Sequence, residues 1–118
     1  MNTQNNNSAL IRIVQGSAEA KGEQRSGKWI AGITLSIENN SGEEKSVTIF
    51  CRVTHRATGE QAACYKFHTF TSTSTAVTKA MLLYIAQPHF NEQYDCCIQL
   101  LEQDKVTDEQ NVSFEFKQ

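Results

Sequence analysis

Strict alternation of apolar and polar side chains is the feature that most constrains the fold of this chain. Between residues 29 and 38, apolar side chains occupy every second position, and mostly small or polar residues lie between them. A period of two sends successive side chains to opposite faces of a β-strand, so one face can be buried while the other meets water. The buried face is predicted to hold Trp29, Ala31, Ile33, Leu35 and Ile37.

The same alternation recurs along the rest of the chain. It is clear over 47–53, 94–101 and 112–116, and shorter apolar runs cover 10–14 and 63–67. Turn-forming residues separate these runs, which predicts a series of short strands. The segments predicted as turns or loops are 17–27, 39–44, 57–60 and 104–111. The Asn-Ser-Gly sequence in 39–44 predicts a hairpin between the strands on either side of it.

One apolar segment, residues 75–87, has two interpretations. Thr75 could cap a helix there, and Pro88 could follow its end. The same run is typical of a strand buried on both faces. We favour the strand because the neighbouring segments all alternate with a period of two.

The length of 118 residues fits one domain. Residues 1–8 are polar and rich in amides, which predicts a flexible arm, and residues 9–118 are expected to form the domain. The N-terminus lacks the basic and apolar regions of a secretory signal, and no apolar run approaches the roughly twenty residues that a membrane span needs. We therefore expect no membrane span, and a cytoplasmic protein with reduced cysteines, or one exported without an N-terminal signal.

A local pattern near the end of the chain is similar to a known fold family. In Tyr94-Asp95-Cys96 a tyrosine precedes a cysteine by two residues on the penultimate strand, which resembles the tyrosine corner of immunoglobulin domains. Residues 33–42, followed by 47–53, also look like the hairpin of strands B and C in bacterial immunoglobulin-like modules. The resemblance implies an all-β, immunoglobulin-like antiparallel sandwich of about seven strands. Strand B has no cysteine and Trp29 begins it, so the antibody-type disulfide and core tryptophan are not expected.

Motifs that would indicate catalysis or a cofactor are missing from the sequence. It has no phosphate-binding loop, no dinucleotide glycine fingerprint, no HExxH and no GxSxG. The charge of −2 includes no basic stripe, which argues against nucleic acid as a partner. Cys51 and His55, like Cys64 and His68, are four residues apart, and on a strand this spacing separates the side chains by roughly 13 Å. No catalytic residue, cofactor or metal ligand is predicted.

A candidate binding surface follows from the alternation. If Ile49 and Cys51 face the core, Phe50 and Arg52 must face outward. The penultimate strand would then expose Cys97, Gln99 and Leu101, and in an immunoglobulin-like sandwich these two strands are neighbours. Aromatic and arginine side chains among polar groups are typical of protein interfaces.

These features favour a non-enzymatic structural or interaction module. It would self-associate, or dock onto a larger protein assembly, through an exposed sheet face or edge. One alternative is a stoichiometric inhibitor or immunity-type binder of a cytosolic protein. A second is a small metal-binding protein or enzyme that uses cysteine and histidine.

Overall fold

The computed structural model describes residues 11–71 and 77–118, so the arm at 1–8 and the first part of 75–87 lie outside the described residues. All regular elements in the described residues are strands. These residues contain no helix that could span a membrane. The strands are β1 (Ile11–Arg25), β2 (Lys28–Asn39), β3 (Lys45–His55), β4 (Gln61–Thr71), β5 (Val77–Ile85), β6 (Gln93–Glu102) and β7 (Lys105–Glu115).

The strands form two antiparallel sheets. One has the order β1-β2-β5 and the other the order β4-β3-β6-β7. The chain therefore passes repeatedly from one sheet to the other, as it does in immunoglobulin-like sandwiches. This confirms the predicted all-β fold of about seven strands.

Alternation places one face of each central strand in the core. The inward side chains of β2, β3 and β6 are fully buried between the sheets, and burial of one such side chain stabilises the fold by roughly 1.5–3 kcal/mol. Aromatic rings from the end of the chain close one end of the core, where Tyr94 stacks on Phe114 with ring centroids 5.7 Å apart. The centre of the core consists of Ile33, Leu35, Ile37, Ile49, Cys51, Val53, Cys96, Ile98 and Leu100.

The ambiguous segment is a strand over its described part, and the helical alternative is wrong. β5 pairs with β2 from Trp29 opposite Ile85 to Ile37 opposite Val77. Within β5, Leu83 is buried and Leu82 is exposed, which is a period of two. The prediction of burial on both faces is also wrong, because only the inner face of β5 meets the core and its outer face is exposed.

The predicted hairpin around residues 39–44 is wrong, because β2 and β3 lie in different sheets. Each strand has one apolar face, and the two faces bury each other when the chain crosses the sandwich. Asn39, which is 1% exposed, holds this crossing together. Its Nδ2 donates to the Glu43 carbonyl at 2.8 Å and to Thr71 Oγ1 at 3.0 Å, and its Oδ1 accepts from the Ser41 amide at 2.9 Å.

Two segments predicted as loops belong mainly to strands. β1 continues through most of 17–27, and β7 covers most of 104–111. Both are edge strands, which pair on one side only and expose many side chains, so their composition resembles that of a loop. The actual turns are the pairs Ser26-Gly27, at φ 54° and 79°, and Gln103-Asp104, at φ 51° and 65°. Positive φ at both central residues suits the right-handed twist of a hairpin.

The role of Asn39 can be tested against its exposed neighbour. Asn39→Ala should lower the free energy of unfolding by about 2–4 kcal/mol, because the Glu43 carbonyl and the Thr71 hydroxyl lose their buried donor. Asn40→Ala should change it by less than about 0.5 kcal/mol, since Asn40 bonds only an exposed carboxylate on Glu38. Urea unfolding of both variants measures the difference. Equal effects would contradict this role for Asn39.

Candidate functional site

The register between β3 and β6 brings the five predicted surface residues together. Phe50 lies opposite Gln99, Arg52 lies opposite Cys97, and Leu101 lies opposite Thr48 in the next row. Their neighbours Ile49, Cys51, Ile98 and Leu100 are fully buried, so the five side chains share the outer face of the four-stranded sheet. Their placement agrees with the sequence, and their role in binding stays a prediction.

Polar groups hold the aromatic centre of this face in place. The Arg52 guanidinium lies over the Phe50 ring at 5.2 Å from its centroid, a distance typical of a cation–π contact. Gln99 Nε2 donates to Glu109 Oε1 on β7 at 2.9 Å. These contacts restrict the conformations of Phe50, Arg52 and Gln99 on the outer face.

The structure adds two exposed apolar residues that sequence reasoning missed. Phe70 of β4 is 64% exposed and lies opposite Ser46 of β3. Val106 of β7 is 50% exposed and lies opposite Leu101 of β6. Phe70 was missed because it lies in a segment rich in Thr and Ser, which shows no apolar alternation. Val106 was missed because it lies within residues 104–111, which were predicted as a turn. We use the name outer patch for Phe50, Arg52, Phe70, Cys97, Gln99, Leu101 and Val106.

The cysteines divide into a buried pair and two on the outer face. Cys51 and Cys96 are buried free thiols, and Cys51 Sγ lies 3.5 Å from Met81 Sδ. A hydrogen bond with Cys96, together with burial, raises the pKa of Cys51 well above its ordinary value. Burial, aided by the negative charge of Glu109, also raises the pKa of Cys97. A raised pKa lowers the thiolate fraction, so neither Cys51 nor Cys97 is arranged as a nucleophile.

A second apolar surface lies between the edges of the two sheets. Tyr65 and Phe67 of β4 face Leu82 and Tyr84 of β5 across an open groove of about 450 Å³. In the described residues β4 pairs only with β3, and β5 pairs only with β2, so each leaves one side of its backbone unpaired. The described lining residues of the groove include no Lys, Arg, Asp or Glu.

No protein-family model and no curated protein matches the sequence. Solved structures do match the fold. A glycosyl hydrolase family 2 member from Bacteroides cellulosilyticus aligns over 91% of this chain and 15% of its own, with a TM-score of 0.79 and 14% identity. A Bacteroides uniformis β-glucuronidase aligns over 91% and 14%, with a TM-score of 0.80 and 9% identity. A β-D-mannosidase from Dictyoglomus thermophilum aligns over 90% and 13%, with a TM-score of 0.71 and 16% identity.

At such low identity the likeness is one of fold. This chain spans 13–15% of the length of those three proteins, so the matching sandwich is one part of a much longer chain in each of them. The fold is thus one that larger enzymes contain as a module.

The thiol environments predict an order of reactivity towards a disulfide reagent. In the native protein Cys64 should react first because it is exposed, and Cys97 should react more slowly because its pKa is raised. Cys51 and Cys96 should react only on unfolding, when four thiols per chain should be counted. Raising the pH should increase the labelling rate of Cys97 until its thiol is ionised.

Labelling followed by peptide mass spectrometry measures the order, and Cys64→Ser should remove the fast phase alone. Fast labelling of Cys51 in native protein would contradict the burial of this pair.

Proposed function

We propose that this chain is a non-enzymatic interaction module whose outer patch pairs with a second copy of the chain. The observation that supports this most directly is the β3–β6 register, which gathers the half-buried Phe50 and Leu101 and their polar neighbours on the outer face of one sheet. A face of four strands and about ten residues is about 19 Å wide and 33 Å long, or roughly 600 Å² in projection. Such an area is close to the ~800 Å² of accessible surface per partner in a standard interface.

The charges on this face support a second copy as the occupant. The central row runs across the sheet as Lys66, Phe50, Gln99 and Glu109, with a cation at one end and an anion at the other. A twofold axis parallel to the strands reverses this row in the second copy. Lys66 of one copy then faces Glu109 of the other, and Phe50 faces Gln99. Interfaces of this kind are self-complementary by symmetry.

The two charges are too far apart to pair within one copy. Lys66 on β4 and Glu109 on β7 are separated by three strand spacings, or about 14 Å. Both side chains are exposed, and no ion pair is formed by either of them in the described residues. Glu109 Oε1 accepts a hydrogen bond from the neutral Gln99 amide, so both charges can still pair with opposite charges on a partner.

A second candidate is docking onto a larger protein in place of self-association. The observation that favours it is that the matching sandwich makes up only 13–15% of the glycoside hydrolase chains with which it aligns. In that case the same outer patch would contact a different protein, and the free chain would be a monomer.

A disruption experiment tests the outer patch. Phe50→Glu combined with Leu101→Glu should leave the fold intact, because neither side chain belongs to the core. It should weaken the dimer at least a hundredfold, since unpaired carboxylates in an apolar interface cost several kcal/mol, on the order of 3–5. Native mass spectrometry and light scattering measure the dimer. Leu82→Glu, in the groove between the sheet edges, is the matched control and should remain dimeric.

A charge-swap experiment tests the orientation. Lys66→Glu and Glu109→Lys should each weaken the dimer, because each places like charges opposite one another across the twofold axis. The double variant should restore it. A dimer that is insensitive to all three changes would contradict the proposed pairing, and a wild-type monomer at high micromolar concentration would favour the second candidate.

A further inference from the structure

Three side chains with metal-binding chemistry meet at the end of the sandwich away from the Asn39 crossing. They are His55 at the end of β3 and His89 and Glu92 in the connection from β5 to β6. One nitrogen or oxygen from each lies within 4.8 Å of the others. The cluster joins two segments of the chain, with His55 and Glu92 37 residues apart, so the Cys/His spacings in the sequence gave no indication of it.

His55 is held in a fixed orientation. Its side chain is almost completely buried, with the residue 2% exposed. Nε2 lies 2.7 Å from Glu92 Oε1, and Nδ1 lies 2.8 Å from Thr58 Oγ1. The tight turn that carries Thr58 is itself closed by the bond from the Gly59 amide to the His55 carbonyl at 2.8 Å. A histidine that binds a metal usually donates its second ring N–H to such an oxygen, which directs the other lone pair at the ion.

His89 is positioned close by but remains exposed. Its ring stacks on that of His55 with centroids 4.1 Å apart and an interplanar angle of 7°. Its backbone amide donates to the Tyr94 hydroxyl at 2.7 Å, which fixes this part of the connection. Two parallel rings cannot direct their lone pairs at one point, so His89 must rotate about its side-chain bonds to complete a site. Its exposure leaves it free to do so.

The surroundings suit a cation. A cavity of about 210 Å³ adjoins the cluster, and His55 and His89 both line it. Glu60 lines the same cavity, and its described lining residues include no lysine or arginine. A positive ion would therefore meet carboxylates and imidazoles and no competing ammonium or guanidinium group.

We propose that His55, His89 and Glu92 bind one Zn²⁺ ion, with water in the fourth position. Two imidazoles and a carboxylate are a ligand set that zinc accepts in a tetrahedral site. Binding would separate His55 Nε2 from Glu92 Oε1 so that both contact the ion, and Thr58 would accept the hydrogen bond of Nδ1–H. The ion would link the β3–β4 turn to the β5–β6 connection. This site is independent of the outer patch and of the proposed self-association.

The competing explanation is that the cluster only stabilises the fold. In that case Thr58 and Glu92 satisfy both nitrogens of His55, and His89 is a stacked surface ring. This explanation predicts no uptake of metal.

The test is titration of the metal-free protein with Zn²⁺ alone, by calorimetry and thermal unfolding. We expect one ion per chain and a rise in Tm of about 10 °C at a hundredfold excess of zinc over Kd. His89→Ala and Glu92→Gln should each weaken binding by at least tenfold while leaving the fold intact, because both side chains are exposed. His68→Ala, which removes an exposed histidine on the outer face, should bind zinc as the wild type does.

Thiols on the outer face also bind zinc, so the contribution of the exposed Cys64 and the half-buried Cys97 must be separated. Cys64→Ser combined with Cys97→Ser should retain full affinity, and the Co²⁺ complex should lack the near-ultraviolet absorption of thiolate ligands. The proposal is overturned if zinc is not taken up. It is also overturned if uptake survives His89→Ala and Glu92→Gln but is lost with the two cysteines.

Discussion

The packing of β2 against β3 and β6 across the middle of the sandwich is the contact on which every other feature depends. These three strands bring Ile33, Ile49 and Ile98 to full burial. Because strand side chains alternate, the burial of one set determines which residues point outward. The outer patch is thus a geometric consequence of the core, and a register shift of one residue would exchange the two sets.

Much of this arrangement could be predicted from the sequence, and its limits have physical causes. Alternation predicted β2, β3 and β6 and the outward direction of Phe50 and Leu101, because a half-buried strand shows its period directly. It could not distinguish a hairpin from a crossing at residues 39–44, since the same turn residues serve both. The crossing includes a hydrogen bond between Asn39 and Thr71, which are 32 residues apart, and no local pattern reveals such a contact. Parts of two edge strands were the other failure, because β1 within 17–27 and β7 within 104–111 bury too few side chains to show a clear period.

The candidate sites also differ in how far the sequence could predict them. The five residues of the original surface prediction lie on two strands with a clear period, so strand pairing was sufficient to bring them together. Phe70 and Val106 lie on edge strands, where the pattern was weak. The cluster of His55, His89 and Glu92 depends on how two connections approach each other at one end of the sandwich. No local pattern reports that approach, and only the three-dimensional fold reveals it.

The most direct test of the central claim compares substitutions at two adjacent residues of β3, one facing the core and one facing out. Urea unfolding of Ile49→Glu and Phe50→Glu, at a protein concentration low enough for the wild type to be monomeric, measures the free energy of unfolding of each variant without a contribution from the proposed dimer. Ile49→Glu should lose at least about 3 kcal/mol or fail to fold, because its carboxylate would be buried without a partner. Phe50→Glu should lose less than about 1 kcal/mol, since its carboxylate remains hydrated on the outer face. The opposite ranking would show that β3 has the other register and would contradict both the core and the outer patch.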